Sequence, residues 1–200
     1  LAASPDPWIR LALALEPLQA QKHDRDLGFA GAMSRLLPTW IDAQLVFRPG
    51  TTYPDANNTL RLSFGTVQGY SARDAVSYLP QTTVTGMVAK TTTGLYTSPP
   101  SAFLDYARTS TQSRWVDPKL GDVPACFLTD LDSTGGNSGS ATLNSKGELV
   151  GLLFDGTYDT VASDYFYDTV NTRSIHCDTR YMLWIMSEVD HADNLLREMT

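Results

Sequence analysis

Two hundred residues, 42% apolar and 18% charged, have the composition of a soluble globular protein with one domain, or one domain and part of another. A chain this long buries roughly 70% of its unfolded surface, so it needs no metal or disulfide staple. The net charge of −7 excludes a general nucleic-acid binder, which needs a basic face, and no apolar run reaches the length of a membrane-spanning helix. Asp and Glu outnumber Lys and Arg from Gly121 to Thr200, as in a solubilising acidic surface. The start, "LAASPDPWIR", has no basic segment, apolar core or initiator methionine. A processed product or an excised fragment is therefore expected.

The first 47 residues read as helical. Asp6 caps "DPWIRLALALEPLQAQ", Pro7 takes the first turn, and Ile9, Leu11, Leu13, Leu15 and Leu18 make a broad apolar face. "GAMSRLLPTWIDAQLVF" resumes the helix, with an interruption expected at Pro38. "RPGTTYPDANNT" is a run of turn formers. "TLRLSFGTVQGY" alternates like a half-buried strand, and "TTVTGMVAKTTTG" is threonine-rich and strand-like. Residues 91–120 read as a long polar surface connection. "VPACFLTD" and "ELVGLLFDG" read as buried strands, "NSKGE" as a tight hairpin turn, and "TRSIHCD" as a last strand. Asp178 then caps a closing helix whose apolar stripe is Tyr181, Met182, Ile185, Val189, Ala192 and Leu196. The expected fold is mainly β with α. A β-barrel follows the end of a helical region and is closed by a C-terminal helix.

"TGGNSGSATLN" at 134–144 carries the chemistry. A serine hydroxyl is a poor nucleophile at neutral pH and needs both a base and oxyanion donors. In Gly136-Asn137-Ser138-Gly139-Ser140 the small residues let the backbone turn, so that the N–H groups of Gly136 and Ser138 can form the oxyanion hole. Gly, Asn and Ser also dominate ordinary turns. A strand before the motif and a hairpin after it favour the nucleophile. The α/β-hydrolase elbow fits only in part, because its last glycine is Ser140 here and its serine must lead into a helix. The base is harder to find. His23 and His191 lie on helices, and His176 lies in a strand after the serine, whereas the chymotrypsin order puts the histidine and aspartate before it. All three read as structural or surface histidines. Cys126 and Cys177 read as two free buried thiols, with one disulfide as the alternative.

Three blocks together resemble the C-terminal part of the bacterial dipeptidyl-peptidase 7/11 family of serine exopeptidases. They are "YPDANNTLRLSFGTVQGYSARDAV", "FLTDLDSTGGNSGSATLNSKGELVGLLFDG" and "RSIHCDTRYMLWIMSEVDHADNLLREM", in family order. The resemblance implies a chymotrypsin-type double barrel with an inserted helical domain. Residues 1–49 would be the end of that insert and 50–200 the C-terminal barrel. It implies that Ser138 is the nucleophile and that Gly136 and Ser138 supply the oxyanion-hole amides. Asp155 would help hold the substrate's free N-terminal ammonium, and Gly156 would set the preference for the second substrate residue. Family members with Arg at that position prefer Asp or Glu. Members with Gly accept bulky apolar or mixed residues, so Gly156 implies the broad or hydrophobic-preferring branch. The triad His and Asp belong to the family's N-terminal barrel. Ala141 departs from the proline expected after "GNSGS". An oligopeptide partner, no cofactor, no metal, and a periplasmic or secreted location also follow from the resemblance, with a homodimer of the full-length protein left open. Two other readings stay open: a glutamyl-type endopeptidase sharing "GNSGS", and a non-catalytic domain that keeps the fold.

Overall fold

The computed structural model describes residues 1, 4–47, 59–91, 99–164 and 167–199. The turn-forming stretch expected at 48–58 lies outside them. The chain divides into two compact units, Leu1–Arg61 and Leu62–Thr200. No helix among the described residues is long and apolar enough to cross a membrane.

Among the described residues the first unit holds one helix, α1, Pro7–Phe47. Asp6 caps it as expected: its Oδ1 accepts the Trp8 N–H at 2.8 Å. The break expected at Pro38 does not occur, and Pro17 also lies inside the helix. Each internal proline removes one backbone donor, at a cost of about 3 kcal/mol. The Ala-, Leu- and Gln-rich turns on either side favour helix strongly enough to carry it through. The broad apolar face is also corrected. The apolar side chains are spread around the helix and none is buried.

The second unit holds a five-stranded antiparallel sheet and a two-stranded ribbon. The ribbon pairs β1 (Tyr70–Arg73) with β2 (Val76–Tyr78). In the larger sheet β3 (Gln81–Thr83), β4 (Pro124–Thr129), β5 (Ala141–Leu143), β6 (Leu149–Gly156) and β7 (Ser174–Asp178) take the order β3-β4-β7-β6-β5. The sheet is open among the described residues, and closure into the expected barrel is not seen among them. Of residues 59–70, expected as a strand, Tyr70 enters β1, and Thr66–Gln68 pair with 128–130 through the bridge Val67–Thr129 and two backbone hydrogen bonds without forming a named strand.

Two further expectations fail for one reason. The threonine-rich segment forms a strand only to Thr83 and then turns into α2, Val84–Thr91. Val84, Met87 and Val88 stand three and four residues apart, and that helical spacing overrides the β preference of the threonines. The supposed surface connection contains α3, Ser101–Ala107, whose Phe103 and Ala107 are buried. Both helices pack on Val123 and on Trp184, which is wholly buried and meets Phe103 edge to face at 5.7 Å. Trp184 was not part of the expected stripe, yet it is the centre of this core. Asp122 ties the same region together. It accepts from the backbone N–H groups of Thr85 and Val123, at 2.9 and 2.8 Å, and from Ser110 Oγ at 2.8 Å.

The closing helix is not continuous. Asp178 caps α4, Thr179–Trp184, by accepting the Arg180 N–H at 2.9 Å. A π-helical turn, Ile185–Val189, follows. His191, at φ +52°, breaks the chain before α5, Asp193–Glu198.

Candidate active site

The loop between β4 and β5 carries the serine motif. Asn137 closes it on itself, accepting the Thr134 N–H through Oδ1 at 2.9 Å and donating its own N–H to Thr134 O at 3.2 Å. Gly136 and Gly139 take φ of +97° and +85°, a region where a side chain would be strained. The loop is then stitched to β6: the Gly139 N–H donates to Leu153 O at 2.7 Å, and the Leu153 N–H donates to Ser140 O at 3.0 Å. The serine therefore leads into a strand and a hairpin, not a helix. That hairpin turns at Asn144–Glu148, where Gly147 sits at φ +80°.

Ser138 is exposed at the tip, and its Oγ lies 3.4 Å from Phe154 O as donor. Among the described residues the backbone N–H groups of Gly136 and Ser138 donate to no acceptor, so both remain available to one.

Ser138, Asp155 and Gly156 border one cavity of about 330 Å³. One wall is the loop itself, with Ser133, Thr134 and Gly135. The other is the end of β6, Leu153–Gly156, and the 3₁₀ turn that follows it, with Thr157, Thr160, Val161 and Ser163. The ladder between β6 and β7 slips by one residue between Leu153 and Asp155. Such a bulge re-aims the residues beyond it. It leaves Phe154 and Asp155 both exposed on the cavity side, while Leu153 stays in the core. The Asp155 carboxylate accepts the Gly156 N–H at 2.8 Å and makes no ion pair among the described residues.

None of the three histidines pairs with Ser138 among the described residues. His176 is wholly buried and stacks on Phe127 at 4.8 Å. Its Nε2 and Nδ1 each lie 2.7 Å from a hydroxyl, of Thr129 and Thr142. Burial lowers its pKa to about 4, so the ring is neutral at physiological pH. His191 lies 3.0 Å from Tyr106 Oη, and His23 is exposed on α1. Cys126 and Cys177 are free thiols that face each other across β4 and β7, and burial raises the pKa of both, Cys177 to about 11. No three His, Cys, Asp or Glu side chains among the described residues gather to hold a metal ion.

Two features of the site carried no sequence signal. Thr160 sits in a turn that carried no pattern in the sequence, and only the fold brings it opposite Gly156. Asp132 precedes Ser133 at the foot of the serine loop. Both its carboxylate oxygens are buried with no hydrogen-bond partner among the described residues, and burial raises its pKa. The Gly-Gly-Asn-Ser run at 135–138 draws attention to the loop's tip and says nothing of its foot.

Comparison with known proteins identifies the family. The peptidase S46 family profile matches residues 1–200. An Asp/Glu-specific dipeptidyl-peptidase of Shewanella putrefaciens is 39% identical over 98% of this chain and 30% of its own length. Dipeptidyl-peptidase 7 of Phocaeicola vulgatus is 38% identical over 78% of this chain and 22% of its own. The crystal structure of Porphyromonas endodontalis DPP11 in complex with the dipeptide Arg-Asp superposes on the whole chain with a TM-score of 0.85 and 28% identity, covering 29% of that protein. The chain thus spans less than a third of the relatives it matches. Its sequence and its fold agree on one assignment: the chain belongs to the peptidase S46 family.

Proposed function

We propose that the chain carries the nucleophile-bearing part of a serine-type dipeptidyl-peptidase that releases dipeptides from free N-termini. The observation that carries this reading is the placing of Ser138, beside two unused backbone N–H groups, on one cavity with Asp155 and Gly156. Ser138 Oγ attacks the carbonyl carbon of the second substrate residue. The developing oxyanion accepts the N–H groups of Gly136 and Ser138. The C–N bond breaks, the leaving amine takes a proton, and water then hydrolyses the acyl-enzyme. Among the described residues no histidine hydrogen-bonds Ser138, and within its own unit His176 and His191 are engaged elsewhere. The base belongs to the remaining length that the relatives have, with the triad aspartate. A chymotrypsin-type double barrel is part of the same reading, with residues 50–200 as its second barrel and 1–49 as the end of a helical insert.

Asp155 serves as the ruler for two residues. A carboxylate at fixed distance from the serine rewards only a correctly placed ammonium. The cavity's described lining includes no cation, and its one charge, Asp155, would repel an acidic side chain. That supports a broad or apolar preference at the second residue. The names of the relatives include Asp/Glu-specific enzymes as well as dipeptidyl-peptidase 7. A periplasmic or extracellular place of action completes the reading.

The test uses the longest native polypeptide that carries these residues. Fluorogenic dipeptides ending in Leu or Phe are compared with those ending in Asp or Glu, with and without a blocked N-terminus. The reading expects kcat/KM at least about tenfold higher for the apolar set, and loss of cleavage on blocking. Preference for Asp or Glu would overturn the specificity, and cleavage of blocked peptides would point to an endopeptidase.

A further inference from the structure

Thr160 meets Gly156 across the far end of the cavity. A Cβ built on Gly156 would lie 2.9 Å from Thr160 Cγ2, closer than non-bonded carbons approach, and 3.0 Å from Thr160 Cβ, which is tight. A threonine at a surface turn could ordinarily swing its methyl aside. Here it is held. Thr160 Oγ1 donates to Arg173 O at 2.9 Å, accepts the Arg173 N–H at 3.2 Å, and lies 3.0 Å from Thr157 Oγ1. Changing χ1 to move the methyl would break these contacts.

The anchor is itself fixed. Arg173 is buried at the start of the β7 approach, and its guanidinium donates to the carbonyls of Gly69, Thr169 and Thr172. It also lies 5.7 Å from the Tyr70 ring centre. Tyr70 Oη donates to Asp159 at 2.8 Å, one residue before Thr160. The turn bearing Thr160 is therefore gripped from both sides.

We propose that Thr160 is a second specificity-determining residue. Its pinned methyl forms the end wall beside Gly156, limits the size of the uncharged side chain admitted there, and keeps position 156 a glycine. This rests on the reading of the cavity as the seat of the substrate's second residue. Residues 156 and 160 then act as a pair: a side chain at 156 needs the methyl at 160 removed first.

The experiment is a double-mutant cycle in the longest native polypeptide carrying these residues: parent, Thr160→Ser, Gly156→Ala, and both. Thr160→Ser keeps the hydroxyl and deletes the methyl. Two readouts are taken, the Phe-to-Val ratio of kcat/KM at the second substrate residue and the melting temperature. Thr160→Ser raises the Phe-to-Val ratio about three- to tenfold, on the scale of one or two methylenes in a pocket. Gly156→Ala alone lowers kcat/KM for Phe at least about tenfold and lowers the melting temperature, and adding Thr160→Ser, which removes the closest contact and leaves the Cβ and hydroxyl in place, restores part of both. An unchanged ratio in Thr160→Ser, or effects at the two sites that simply multiply, would overturn the proposal. The melting cycle reads the contact without catalysis. A polypeptide that shows the melting coupling but cleaves no dipeptide substrate would refute the functional reading, and the role of Thr160 in specificity with it. Cleavage with no coupling would refute the Thr160 role alone.

Discussion

The two walls of the cavity are held by different physics. The serine wall, Ser133–Ser138, is a glycine loop closed by Asn137 and leaning on β6 through backbone bonds. The opposite wall, Leu153–Thr160, grows out of the β6–β7 ladder and is locked by threonine hydroxyls and Arg173. Behind that ladder, His176 joins β4, β5 and β7 through two threonines and a stacked ring. One wall keeps its backbone donors unspent at an exposed serine. The other spends nearly every polar group on position. On the proposed function, the first kind of construction presents the nucleophile and the second measures the substrate.

Substitutions separate the walls, and the largest effect is expected at Ser138. Ser138→Ala in the native polypeptide should lower kcat/KM by about 10⁴-fold or more while leaving the melting temperature unchanged, since the exposed hydroxyl holds only one long hydrogen bond. Residual cleavage within tenfold of the parent would remove the nucleophile from this wall. Trp184→Ala tests the core behind the sheet and should cost about 3–5 kcal/mol in denaturant unfolding. A cost below about 1 kcal/mol would show that α2 and α3 do not depend on it.

His176 gives the rigid side its pH dependence. Its pKa is about 4 in the fold, against about 6.5 when exposed. Between those values the unfolded chain binds a proton that the folded chain refuses, so stability rises with pH across that window and is flat above it. The span is on the order of 3 kcal/mol. Unfolding curves from pH 4 to 7 should show it, and His176→Gln should flatten the slope. The smallest effect belongs to the loop. Gly136→Ala forces a side chain into positive φ, with an expected cost of about 1–2 kcal/mol and a kcat loss of about 10²-fold as the N–H groups move. An unchanged kcat would mean that the Gly136 amide serves no oxyanion.

Strands β4 and β6 were legible as short apolar runs and β7 as an alternation of Ile175 and Cys177 with polar residues, and Asp6 and Asp178 cap as their positions require. The motif residues Ser138, Asp155 and Gly156 do come together at one cavity. What stayed hidden depends on tertiary contact. Val84, Met87 and Val88 make a helix of a threonine-rich segment because a core awaits them. Phe103 lies in a polar stretch that reads as loop until Trp184 is placed beside it. Closure of the sheet could not be judged from strand count, and Thr160 gains its meaning only from the backbone atoms of Arg173.

The reading of Ser138 as nucleophile is tested most directly by covalent labelling. The longest native polypeptide carrying these residues is treated with an active-site phosphonate and digested, and the adduct is mapped by mass spectrometry. The account predicts one adduct, on Ser138, formed in step with loss of dipeptide release. An adduct on a different residue, or full inactivation with Ser138 unmodified, would contradict it.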